Sequence, residues 1–145
     1  GILATTTGDP KPFVEALARQ LDVAVGSGDR DALLRGARRE LDAYFTGRLR
    51  VFATPVDLRL ARTPFARAVL EVVHAIPYGE LWTYGDVAGA AGRPGAARAA
   101  GSVLAHAPIE LFVPCHRVAP AGPGFGSYGG EEDRRERLLR LEGAI

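Results

Sequence analysis

The sequence is short of several things, and each shortage excludes something. Only one of its 145 residues is cysteine, so neither an intramolecular disulfide nor a cysteine-rich zinc cage can be built. Basic and acidic residues number 18 and 17, a net charge of +1, which does not suit a highly basic nucleic-acid coat. No apolar run approaches the roughly 18 to 20 residues that span a bilayer, and no basic leader precedes an apolar stretch and a cleavage site. These absences point to a soluble protein with no membrane partner. Methionine is missing altogether, so residue 1 is read as other than the natural start, the chain being a processed product or part of a longer or fused protein. Lys11 is the one lysine among the 18 basic residues. This arginine bias suits a GC-rich bacterial genome and planar, bidentate contacts with phosphate.

What remains is the composition of an ordinary globular chain, 47% apolar and 24% charged, of a length for one domain or a domain with a small lobe. Residues 1–60 read as a short N-terminal lobe. Phe13, Leu17, Leu21 and Val25 predict an amphipathic helix over 12–25, followed by a turn at 26–29 in which Asp29 caps a second helix. Leu33, Leu34, Ala37, Leu41 and Phe45 supply that helix's apolar stripe and Gly47 closes it. A short strand is expected at Leu49, Val51 and Phe52. Residues 61–145 form the second unit. Thr63-Pro64 is a helix-start signal, and the helix it opens buries Phe65, Val69, Val72 and Val73. Short helices follow at 84–91 and 96–105, joined by Gly92-Arg93-Pro94-Gly95. An apolar strand is expected at 109–113, then a loop over 119–130 with five glycines and two prolines, and a last helix at 131–142 docked through Leu138, Leu139 and Leu141.

Two short helices around a Gly/Pro turn fit a helix-turn-helix unit, whose second helix enters a DNA groove. A helix of Ala, Gly and Ser approaches a duplex closely; it also packs tightly inside a core, and the pattern alone leaves both readings open. Cys115, taken alone, reads as a small buried hydrophobe. His116 and Arg117 change that, since positive neighbours depress a thiol pKa and make it a nucleophile. Side chains alternate along an extended segment, so a Cys115–His116 relay needs a turn or a bridging water. His74, His106 and His116 with one cysteine lack paired-ligand spacing, so no metal site is expected. His106, ending its helix, reads as a partner of the helix dipole.

Pro114-Cys115-His116-Arg117-Val118 is identified as the acceptor motif of the O6-alkylguanine-DNA alkyltransferases, the methylated-DNA–protein-cysteine methyltransferases. Four further blocks agree in order and spacing over 63–142. Ile76-Pro77-Tyr78-Gly79-Glu80 with Thr83-Tyr84-Gly85-Asp86-Val87-Ala88 resembles that family's first helix-turn-helix segment. Ala96-Ala97-Arg98-Ala99-Ala100-Gly101 resembles its recognition helix. Ser127-Tyr128-Gly129-Gly130 resembles the loop over the guanine pocket, and Leu138-Leu139-Arg140-Leu141-Glu142 the terminal helix. More weakly, Glu40-Leu41-Asp42-Ala43-Tyr44-Phe45-Thr46-Gly47 resembles the end of its N-terminal domain.

The resemblance implies an α+β fold: a reduced or truncated N-terminal lobe (1–60), then a mainly helical, winged-helix-like DNA-binding and alkyl-acceptor domain (61–145). It implies a single-turnover reaction in which Cys115 takes and keeps the alkyl group of O6-alkylguanine flipped out of duplex DNA. His116 would deprotonate the thiol through a water, Glu142 would orient the imidazole, and Tyr84 would donate a proton toward guanine N3. Arg98 would fill the space of the flipped base, with Tyr84, Ala97 and Gly101 also on the DNA face. Pro114, Val118, Ser127, Tyr128, Gly129 and Gly130 would line the pocket, Tyr128 stacking on the base. No cofactor or metal is implied; the partner is lesion-bearing double-stranded DNA, with O4-alkylthymine as a second substrate to test. The expected molecule is a cytoplasmic bacterial monomer acting at the nucleoid.

Three departures stand out. Ala107-Pro108-Ile109 replaces the family's usual Asn-Pro-Ile, Trp82 stands where a smaller residue is common, and Arg62-Thr63-Pro64-Phe65-Ala66 replaces the common Gly-Thr-x-Phe-Gln. A non-catalytic alkyltransferase-like lesion sensor, or an alkyl-DNA-responsive regulatory domain of a longer protein, is the alternative. In such sensors the acceptor cysteine is replaced, whereas here Cys115 stands with His116 and Glu142.

Overall fold

Side-chain caps set where most of the helices begin. In the computed structural model, which describes residues 1–6, 8–22, 31–126 and 132–145, the Asp9 carboxylate accepts from the Lys11 N–H at 2.9 Å and Pro10 takes the first helical position. The result is α1, Pro10–Leu21. It starts two residues earlier than the sequence predicts and stops at Leu21, where Asp22 turns into left-handed backbone at φ 52°, a conformation Asp tolerates better than most. Val25 and the expected turn and cap at 26–29 lie outside the described residues. The cap described for α2 (Ala32–Phe45) is Asp31, which accepts from the Leu33 N–H at 2.7 Å.

The inner face of α2 is rotated from the expected stripe. Ala37 and Tyr44 are buried, whereas Leu34 and Phe45 are 46% and 52% exposed. Positions 33, 37, 41 and 44 share one helical face, and it is Tyr44 that completes it. The strand expected at 49–52 does not form. The Leu49 N–H turns back to the Ala43 carbonyl at 3.2 Å, and just beyond the expected strand Glu40 on α2 takes the backbone N–H groups of Ala53 and Thr54 on its two carboxylate oxygens (3.1 and 3.0 Å), a side-chain partner in place of a ladder.

Thr63 caps α3 (Pro64–His74) through the Ala66 N–H at 3.1 Å. Val69, Leu70 and Val73 are buried on α3, Phe65 and Val72 partly so; each full burial stabilises by about 1.5–3 kcal/mol. The short strand β1 (Trp82–Thr83) leads into α4 (Tyr84–Ala90), whose capping box is reciprocal: Thr83 Oγ1 accepts from the Asp86 N–H, and Asp86 accepts from the Thr83 N–H. After the Gly/Pro turn comes α5 (Ala97–Ala105); it packs on α4, and α3 packs on both.

The strand expected at 109–113 is absent too. Ile109, Phe112 and Val113 are buried, but the backbone bends at Leu111 (φ 67°) and the Phe112 N–H closes onto the Glu110 carbonyl at 2.8 Å. No strand among the described residues offers this segment a ladder; the Glu110 N–H donates instead to Thr5 Oγ1 at 2.7 Å. A 3-10 turn, Cys115–Arg117, then feeds β2 (Val118–Ala119), which lies parallel to β1 with Trp82 opposite Val118 and Thr83 opposite Ala119. The chain ends with α6 (Glu132–Glu142), which buries Leu138 and Leu139. The architecture is thus a mixed, mainly helical one with a two-stranded sheet among the described residues. One apolar core runs through it, joining Ile2, Ala37 and Leu58 of the first 60 residues to Val69, Val87 and Val113. Among the described residues no helix is long and apolar enough to cross a membrane.

Candidate functional site

The 3-10 turn resolves the problem of alternating side chains. Because Cys115–Arg117 coils, with the Arg117 N–H bonded to the Pro114 carbonyl at 2.9 Å, Cys115 and His116 are both taken into the interior, 3% and 0% exposed. The terminal helix brings Glu142 to the same place. Its carboxylate Oε1 accepts from His116 Nε2 at 2.9 Å, while Arg117 grips it with two hydrogen bonds, Nε to Oε2 at 2.8 Å and Nη2 to Oε1 at 2.9 Å. The Gly79 N–H adds a fourth contact at 3.2 Å to Oε2. Gly79 sits at φ 83°, and a Cβ there would stand 3.2 Å from the Glu142 carbonyl oxygen, so glycine is what lets this backbone come so close.

These contacts decide the protonation states. Burial pushes the Glu142 carboxyl up, but hydrogen bonds from His116, Arg117 and Tyr44 outweigh it and hold the group well below the usual carboxylate range. An ionised carboxylate only accepts, so His116 carries its hydrogen on Nε2. Burial lowers the His116 pKa, opposed by Glu142, and the ring is neutral at neutral pH. Its Nδ1 is buried and has no hydrogen-bond partner among the described residues, leaving a lone pair on the atom that the neutral ring keeps for accepting a proton. Burial, with the Glu110 charge second, pushes the Cys115 thiol up to about 12.

That last result corrects the sequence reading, in which His116 and Arg117 depress the thiol pKa. His116 is neutral and Arg117 is committed to Glu142, with its Nη1 on the Ile76 carbonyl at 2.6 Å. The cation that does act on the thiol is Arg135 of α6, which the sequence reading missed. It is 2% exposed, lowers both the Cys115 and His116 pKa values by its charge, donates to the Tyr84 hydroxyl at 3.3 Å, and also donates to the Phe125 carbonyl.

Tyr84, the first residue of α4, is half-buried, and its ring lies 3.7 Å from where a Cβ on Gly101 would stand. The β1–β2 pairing holds the start of α4 beside the segment that follows the 3-10 turn at Cys115–Arg117. Arg98 is exposed on α5 and Ala97 half-buried, while Pro114 and Val118 are buried beside Cys115. Ser127, Tyr128, Gly129 and Gly130 lie outside the described residues. His106 donates its Nδ1–H to the Ser102 carbonyl at 2.8 Å, the position of a helix C-terminal cap. His, Cys, Asp and Glu side chains do not gather into a cluster able to hold a metal among the described residues.

Tyr44 was missed as well. Buried to 1% exposure on α2, it donates its hydroxyl hydrogen to Glu142 Oε1 at 2.7 Å. The only signal in the sequence was its place in the weak block 40–47, since the expected apolar stripe of that helix ran through Phe45 instead.

Comparison with known proteins follows the same outline. Residues 64–144 match the family model for the DNA-binding domain of 6-O-methylguanine DNA methyltransferase. A methylated-DNA–protein-cysteine methyltransferase of Mycolicibacterium paratuberculosis is 47% identical over 107 residues, 74% of this chain and 64% of the relative. The chain therefore spans just under two thirds of that relative's length. Among solved structures, Mycobacterium tuberculosis OGT in complex with DNA superimposes with a TM-score of 0.71 at 44% identity, covering 76% of this chain and 67% of that one. The O6-methylguanine methyltransferase of the same organism gives 0.75 at 37% identity, covering 96% and 76%.

Proposed function

Because the chain belongs to the 6-O-methylguanine DNA methyltransferase family, we propose that it is a direct-reversal DNA repair protein that flips O6-alkylguanine from duplex DNA and moves the alkyl group irreversibly to its own Cys115. The observation that carries the reading is the buried acceptor turn. Its thiol is protonated at neutral pH, and the His116 beside it is neutral with its Nδ1 lone pair uncommitted.

The chemistry balances without a cofactor. The thiol proton passes to His116, directly or over one water, while the ionised Glu142 stabilises the imidazolium that forms, an arrangement with the logic of a hydrolase triad. Sγ bonds to the alkyl carbon as the carbon–O6 bond breaks, and the electron pair enters the purine. The Tyr84 hydroxyl donates toward N3 and recovers a proton from the imidazolium, so the thiol hydrogen ends on guanine. Because Arg135 donates to the Tyr84 oxygen, the phenol hydrogen is turned outward and its departure is favoured by a nearby positive charge.

On this reading α4, the turn and α5 form a helix-turn-helix, with residues 61–145 as the DNA-binding and acceptor domain and 1–60 as a reduced lobe. Arg98, exposed on α5, stands in for the extruded base, at a few kcal/mol of unstacking that a damaged pair reduces. The backbone of the glycine-rich loop, Ser127, Tyr128, Gly129 and Gly130 included, reads the base edge with Pro114 and Val118 behind it. The protein works as a monomer in the bacterial cytoplasm.

Intact mass after incubation with an O6-methylguanine duplex tests this. We expect a stoichiometric gain of one methyl, abolished by Cys115→Ala. Tight lesion binding with no mass gain would make the protein a lesion sensor instead. An O4-methylthymine duplex in the same assay reads the second substrate.

A further inference from the structure

We propose that Tyr44 is a positioning residue for the transfer: from the N-terminal lobe, its hydroxyl fixes the Glu142 carboxylate and through it the orientation and tautomer of His116. The inference rests on the alkyl-transfer reading and adds a role for the first 60 residues, which carry none of the reacting atoms.

The geometry is specific. Tyr44 Oη lies 2.7 Å from Glu142 Oε1 and 3.4 Å from His116 Nε2, so one phenol stands over the hydrogen bond that orients the imidazole. Glu142 Oε1 then accepts from three side chains, Tyr44, His116 and Arg117. A carboxylate held by this many donors cannot rotate to meet the imidazole differently. Tyr44 in turn is wedged by the rings of Phe45, Phe52 and Tyr78, at centroid distances of 5.3, 5.3 and 6.2 Å. Burial, then the hydrogen bond to Glu142, keeps its phenol far above the ordinary tyrosine range, so it stays a neutral donor. His116 is faced by Tyr44 from α2, by Glu142 and Arg135 from α6, and by Arg117 from its own turn. Of these, Tyr44 is contributed by the N-terminal lobe.

Tyr44→Phe removes the hydroxyl and keeps the ring contacts. A buried hydrogen bond to a charged group is lost, and the single-turnover rate of methyl transfer should fall about tenfold at neutral pH with lesion-duplex Kd unchanged. With one donor gone, Oε1 carries more charge toward the imidazole and favours its protonated form. The acid limb of the rate profile should therefore move to higher pH, a change that a purely structural role for the ring would not produce. The ¹⁵N shifts of His116 supply a second readout independent of activity: wild type should show the Nε2–H tautomer, and Tyr44→Phe a mixture or a raised imidazole pKa. Equal rates, an unmoved acid limb and an unchanged ¹⁵N spectrum would overturn the assignment. Wild type run alongside separates the two ideas. No methyl gain in wild type sinks the repair reading itself, whereas full gain in wild type with an unchanged rate and acid limb in Tyr44→Phe overturns only the role of Tyr44.

Discussion

Cys115 was the one residue whose chemistry the sequence named outright, and its environment turns out to oppose the ionisation that the chemistry needs. A thiol that titrates near 9.0 in an unfolded chain and near 12 in the fold is an acid whose folded pKa is raised. Between those values the unfolded state has lost a proton that the folded state keeps, so stability falls as pH rises, by at most about 1.4 kcal/mol per unit. The denaturant midpoint of wild type should therefore drop relative to Cys115→Ala between pH 9 and 10.5, and the two should run parallel below pH 8. Tyr44 is present in both chains and cancels. Protein already alkylated at Cys115 should behave like the alanine variant, since a thioether does not titrate. A parallel course throughout would mean that the thiol is not buried in solution. On the proposed reading, the same burial keeps the resting thiol protonated, so that reactivity waits for a base and a substrate held in line rather than for a standing thiolate.

At the level of elements, the helices that were legible in the sequence are those with a cap and an apolar face. Thr63-Pro64 marked α3, while the Thr83/Asp86 capping box at the start of α4 came with the structure. The α4 box has a double task, because Tyr84 follows Thr83 directly. Thr83→Ala should destabilise the fold by about 1 kcal/mol, seen as a lower denaturant midpoint with an unchanged slope. It should also slow methyl transfer, as the Tyr84 ring loses its fixed approach. A full loss of stability, or none, would show that the cap is not what holds α4. The two short strands at 49–52 and 109–113 failed for one reason. Apolar content predicts burial, but a strand exists only where a second strand offers its backbone; here the Leu49 N–H turns back to the Ala43 carbonyl and the Glu110 N–H goes to the Thr5 side chain. The stripe on α2 failed by one position, Tyr44 for Phe45, because both are aromatic and the polar partner that draws Tyr44 inward sits 98 residues away in the chain.

For the molecule as a whole, charge is the telling quantity. Between residues 81 and 130 the chain carries three arginines, Arg93, Arg98 and Arg117, against two acids. The structure commits Arg117 to Glu142, leaving Arg93 and Arg98 exposed on that stretch. Two phosphate neutralisations correspond to a slope near −2 for log affinity against log salt. A fluorescence-anisotropy titration of duplex binding from 50 to 200 mM salt should return about that value; a slope as steep as about −10, the figure for lac repressor, would refute this picture of the DNA face. On the proposed repair reading, weak, sequence-tolerant affinity suits a protein that samples many undamaged sites to find a rare lesion.

The sequence by itself determined the acceptor motif, the order of the blocks around it, the helices with the Thr63 cap and the near-neutral charge. All of these are local or additive properties, readable from neighbours and counts. Tertiary structure alone decided which groups meet. Arg117 binds Glu142 rather than the thiol, Arg135 reaches Tyr84 across 51 residues, and Tyr44 reaches Glu142 across 98. Those contacts arise from buried charges and hydroxyls that must find partners wherever the fold puts them. A one-dimensional pattern carries no record of distance between residues so far apart, and the protonation states of the site follow from that distance.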